Sequence, residues 1–65
     1  MTTPYYELHH ASGRKFVAPT DERRRLRFTS KREKAAWFNQ RRDAELLRRE
    51  LPDSVDWHVV EVVDP

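Results

Sequence analysis

Residues 29–51 read TSKREKAAWFNQRRDAELLRREL, and Pro52 follows. Ser30 and Glu33 stand at capping-box spacing, in which a serine hydroxyl and a glutamate three residues on satisfy free N–H groups at a helix start. Thr29 is the other candidate cap. From Ser30 to Leu51 no residue is Gly, Pro or β-branched, and Arg, Ala, Glu, Leu and Gln are good helix formers. Pro52 cannot continue a helix. The stretch predicts one helix over about 30–51, roughly 33 Å long at 1.5 Å per residue. At about 100° per residue, Ala36, Trp37, Gln40, Ala44, Leu47 and Leu51 share one face, expected to lie on a sheet. The opposite face reads Lys34, Phe38, Arg41, Arg42, Glu45, Arg48 and Arg49.

The flanks supply the sheet. On the C-terminal side, after Pro52-Asp53-Ser54, residues Val55 to Val63 predict a strand rich in Val and Trp. Val55, Trp57, Val59, Glu61 and Val63 point one way; His58, Val60 and Val62 point the other. Apolar residues on both sides suit a strand covered on both faces or buried against a partner. On the N-terminal side, strands over about 3–10 and 14–18 flank Ser12-Gly13, the only Gly-bearing turn signal, and form a β-hairpin. Pro19-Thr20-Asp21-Glu22 breaks the chain, and the alternation in Arg25-Leu26-Arg27-Phe28 marks a further strand over about 24–28. A strand–helix–strand passage implies a right-handed crossover, with the third and last strands parallel. The expectation is a single α+β domain over 1–65: a small sheet of three to four strands packed on one long helix, in the order ββ(β)αβ.

Charge is segregated along this chain. Residues 1–13 carry Glu7 alone, residues 14–49 hold all thirteen basic side chains for a net +8, and residues 50–65 carry −5, so that the overall +2 conceals a dipolar molecule. Such asymmetry steers partners rather than dictating a fold. At 65 residues a domain buries only about 60% of its unfolded surface. With no Cys no disulfide can staple it, so a homodimer is one expected route to stability. No stretch nears the roughly 20 apolar residues that span a bilayer. With neither Cys nor a basic, apolar leader, the expected location is cytoplasmic.

Phe38, an aromatic amid arginines and opposite the expected core face, has the composition of an interaction hot spot. With Arg41, Arg42, Glu45, Val60 and Val62 it defines the expected protein interface. The function that follows is a small non-enzymatic interaction protein, with a homodimer as one expected form, that binds and modulates a larger protein. The alternative is nucleic-acid binding, with Arg23, Arg24, Arg25, Arg27, Arg41, Arg42, Arg48 and Arg49 on phosphates and Phe38 stacked on an unpaired base. A solvated helix face laced with pairs such as Glu45 with Arg41, Arg48 and Arg49 is the plain reading of the same residues. In size, arginine content and lack of Cys the chain resembles small accessory proteins of bacteriophages and mobile elements, though it carries no family motif.

Catalytic and metal chemistry find little footing. Ser12, Ser30 and Ser54 lack a nucleophile motif, a single Gly leaves no phosphate loop, and so short a chain has little room for a substrate pocket. His9 and His10 are neighbours on a strand and point to opposite faces, with His58 able to meet one of them across the sheet. No metal, cofactor, small-molecule substrate or membrane partner is expected.

Overall fold

The computed structural model describes residues 3–20, 23 and 25–63. Four strands, β1 (Tyr5–His10), β2 (Phe16–Ala18), β3 (Arg27–Thr29) and β4 (Trp57–Val62), and one helix, α1 (Arg41–Arg49), follow one another as β-β-β-α-β. The fold is α+β, as expected, with β1 and β2 joined as the N-terminal hairpin. The residues expected at 21, 22 and 24 in the turn and the third strand, and Asp64, lie outside the described residues.

The sheet order is β3-β2-β1-β4, and every pairing is antiparallel. This corrects the expected crossover. β3 and β4 are not parallel neighbours; they occupy opposite edges. β4 pairs along its whole length with β1, from Tyr5 opposite Val62 to His10 opposite Trp57. Because side chains alternate across a strand, the register fixes two faces. Tyr6, Leu8, His10, Val17, Phe28, Trp57, Val59 and Glu61 share the face beneath α1. Tyr5, Glu7, His9, Phe16, Ala18, Arg27, His58, Val60 and Val62 share the other.

The core lies on the helix side. Leu8, Val17, Ala44, Leu51 and Trp57 are almost completely buried, with Tyr6, Phe38, Leu47 and Val59 packed around them. Of the face expected to lie on the sheet, Ala44, Leu47 and Leu51 do so, against Trp57 and Val59. Phe28, 41% exposed, meets Trp57 ring to ring at 5.5 Å, and Leu26 is 36% exposed.

The helix is far shorter than its composition predicts. Only residues 41–49 are α-helical; residues 32–34 form a 3₁₀ turn, and Ala35 is extended. Ser30 and Glu33 do not act as a capping box. The cap of α1 is Gln40, with no side-chain hydrogen bond, and Thr29 Oγ1 instead accepts from the Lys31 amide at 3.1 Å. The reason is tertiary. The Ala36 amide donates to the Val17 carbonyl at 2.8 Å, and Phe38 exchanges two backbone bonds with Tyr6. Extending the His9–Phe16 register sets Pro19 opposite Tyr6, and proline has no N–H to offer. Phe38 takes that place in the ladder, so strand-like pairing overrides a weak local helical preference. The connection must also carry the chain from the β3 edge, past β2, to the helix over β1 and β4, which a continuous helix from residue 30 would not do.

Two smaller corrections follow from the same backbone. Val55 does not lie on β4; it sits in a 3₁₀ turn over Ser54–Asp56 and is 81% exposed. Trp37, expected on the core face, is exposed, whereas Phe38, expected on the far side, is half buried against the core.

Candidate functional site

The helix-free sheet face carries the most unusual chemistry. At its centre on β1 stands Glu7, a carboxylate only 6% exposed. The His9 Nε2–H donates to Glu7 Oε1 at 2.8 Å, and Arg32 Nε approaches the same oxygen at 3.4 Å. A buried charge demands such partners, since leaving it bare would be costly. The 3₁₀ turn over Arg32–Lys34 brings Arg32 to Glu7, and Ala35 packs down beside it, buried.

Around Glu7 opens a groove of about 730 Å³, lined by Tyr5, Glu7, Arg32, Glu33, Ala35 and Trp37. Trp37 is 65% exposed and meets Tyr5 edge to face, with ring centroids 5.9 Å apart. Val60 and Val62, half buried on edge strand β4, stand across from Glu7 and Tyr5 on the same sheet face, outside the groove lining. Tryptophan, tyrosine and arginine are the residue types that dominate binding hot spots, and here they share one concave surface.

The expected interface residues divide between the two faces. Val60 and Val62 lie on the helix-free face, beside Glu7 and Tyr5 but not in the groove lining. Arg41, Arg42 and Glu45 lie on α1, across the sheet from it. The Arg41 guanidinium stands 5.4 Å from the Tyr6 ring centroid, Arg42 is exposed, and Glu45 pairs with Arg48 at 3.1 Å. Phe38 is neither on α1 nor free. Tyr5, Glu7, Arg32 and Trp37 were not among the expected site residues. The available signal was Glu7, a lone charge within the strand run Tyr5-Tyr6-Glu7-Leu8.

The arginines proposed for phosphate contact do not form one patch. Arg27 belongs to the helix-free face of β3, whereas Arg41, Arg42, Arg48 and Arg49 lie on α1 over the other face. Arg48 is held by Glu45 and by the Ser54 carbonyl at 3.1 Å. Arg23 and Arg25 have partners of their own, and Arg24 lies outside the described residues.

The histidines separate as alternation requires: His9 faces Glu7, with His58 opposite it on β4, and His10 faces the core side. His10 Nδ1 accepts the Ser12 amide at 3.1 Å, which leaves the proton on Nε2, 3.3 Å from Asp53 Oδ2. Asp53 Oδ1 accepts the Trp57 indole N–H at 2.9 Å. That hydrogen bond holds the Asp53 carboxyl below its ordinary value; partial burial opposes it, and the residue's own backbone and His10 reinforce it. His10, Asp53 and Asp56 place one donor atom each within 4.8 Å of one another, the one such grouping among the described residues. Its bonds to Trp57 and Ser12 suit it to fastening the β4 entry turn to the hairpin. Among the described residues no helix is long and apolar enough to cross a membrane.

Comparison with protein-family models, with characterised proteins and with solved structures yields no match to this chain.

Proposed function

We propose that the protein is a non-enzymatic interaction module that binds a larger protein through its helix-free face and modulates it. The observation that carries this reading is Trp37, a large aromatic 65% exposed beside Tyr5 and Arg32 at a groove. Holding an indole in water forfeits burial free energy of about 2 kcal/mol, so its placement there is best explained by a partner that covers it.

Geometry favours protein over nucleic acid. Phosphate binding calls for several arginines converging on one surface. Here the helix arginines and Arg27 lie on opposite faces, and Arg48 is already engaged.

Selection of a random peptide library on the immobilised protein tests the reading. Enriched peptides are expected to lose binding to the Trp37→Ala variant and to keep it in 0.5 M salt, to within about threefold. Enriched ligands indifferent to Trp37, or a chain that instead binds mixed-sequence DNA or RNA with a steep salt slope, would overturn it.

A further inference from the structure

We infer that the groove receives an arginine side chain from an extended segment of the partner protein, its guanidinium paired with Glu7 and lying against Trp37. This rests on the interaction reading and names the chemistry of its occupant.

Glu7 is the starting point. Its carboxylate sits in the middle of a sheet face with its side chain 7% exposed, and among the described residues no buried side-chain oxygen or nitrogen lacks a partner, so any acceptor position still open on it faces the water of the groove. Both described partners fall on Oε1, and a carboxylate has about four lone-pair sites. Arg32 reaches it through Nε alone, at 3.4 Å, on a side chain 59% exposed, so the two-pronged end of that guanidinium is not used. Arg32 is therefore a loose placeholder, and among the described residues both side-chain bonds to the carboxylate fall on Oε1, which leaves Oε2 as the oxygen for an incoming donor.

The other linings choose among occupants. An anionic group would meet Glu7 and Glu33. A purely apolar side chain would take water from the remaining acceptor positions of the Glu7 carboxylate without offering a donor, which is unfavourable. A cation answers both objections, and Trp37 with Tyr5 offers it aromatic surface. Between the two cationic side chains, arginine fits better. Its planar fork pairs with a carboxylate through two hydrogen bonds and stacks on an indole, whereas an ammonium is compact and strongly hydrated. Val60 and Val62 beside the groove supply apolar surface for the neighbouring residues of an extended segment.

The test uses the full chain, isotope-labelled, with two probes: the peptide acetyl-Gly-Arg-Gly-amide and its citrulline counterpart, which keeps the shape and removes the charge. Binding is read from the Trp37 indole N–H and the Glu7 and Trp37 amide resonances. The arginine peptide is expected to shift these signals saturably and to bind about tenfold more tightly than the citrulline peptide. Glu7→Gln should abolish that preference. Arg32→Ala removes a 59% exposed side chain and leaves His9 bonded to Glu7, so it tests the idea even if Glu7→Gln fails to fold; it should strengthen arginine binding about threefold. Equal binding of the two peptides, or weaker binding in Arg32→Ala, would sink the inference. If the arginine peptide fails while library-selected ligands still require Trp37, the arginine assignment falls and the interaction reading stands. If both fail, both fall.

Discussion

The amide and carbonyl of Tyr6 are both bonded to Phe38, at 2.9 and 2.8 Å, in the place where the hairpin register would set Pro19. One residue thus completes the β1 ladder, ends the irregular connection from β3 and delivers the chain to α1. Its neighbour Trp37, pointing the other way from an extended backbone, goes to the groove.

That pairing separates two adjacent aromatics by role. Phe38→Ala removes a side chain packed on the core and is expected to lower stability by about 2 kcal/mol. Trp37→Ala should stay within about 0.5 kcal/mol of the parent. Urea denaturation followed by circular dichroism measures both. Equal losses in the two variants would refute the division.

Gly13 has φ of 74°, and a Cβ added there would meet nothing within 4 Å. Substitution therefore probes backbone conformation alone. Gly13→Ala should cost about 1–2 kcal/mol, and Gly13→Asn less, because asparagine tolerates the left-handed region. The urea midpoints of the two variants give the ranking, and an Ala variant as stable as the parent would contradict the turn geometry.

Asp53 supplies a pH dependence. The folded carboxyl titrates below its ordinary value of 3.8, so ionised Asp53 stabilises the native state above that pH. The contribution fades as pH falls through the folded-state value. Asp53→Asn is expected to be less stable than the parent at pH 7, with the gap narrowing below about pH 3.8. Thermal unfolding of both proteins across pH 2.5–7 checks it; a gap that stays constant in acid would remove the charge from the explanation.

Ala44 is fully buried among Leu8, Val17, Leu51 and Trp57. No larger side chain fits between α1 and the sheet without displacement. Ala44→Leu should destabilise by about 1–3 kcal/mol, seen as a lowered melting temperature. A stabilised variant would mean that the helix–sheet gap is looser than described.

Much of this fold was legible because local pattern and tertiary role agree. The Val-rich C-terminal strand, the hairpin around Gly13 and the stripe of Ala44, Leu47 and Leu51 each read the same in sequence and in space. Residues 30–40 depart from the helical expectation because good helix formers express a weak preference that two backbone pairings, Ala36 to Val17 and Phe38 to Tyr6, outweigh. The error then propagated to the site. Helical rotation assigned Trp37 to the core and Phe38 to the surface; extended alternation assigns them the other way round. Asn39, a poorer helix former just before the cap Gln40, was the local sign of the true helix start. Glu7 stood out as a charge in a strand, but its partners Arg32 and His9 depend on a turn and a register that no spacing in the sequence reveals.

The pairing of β1 with β4 has a consequence for synthesis. Tyr5 lies opposite Val62 and His10 opposite Trp57, so the interior strand β1 lacks one neighbour until residues about fifty positions further along the chain have been made. Residues 3–56 lack Trp57, the largest of the fully buried side chains, and so cannot complete the core. Closure of this core therefore waits for β4, and a chain interrupted before Trp57 would leave Leu8, Val17 and Ala44 without their largest buried neighbour.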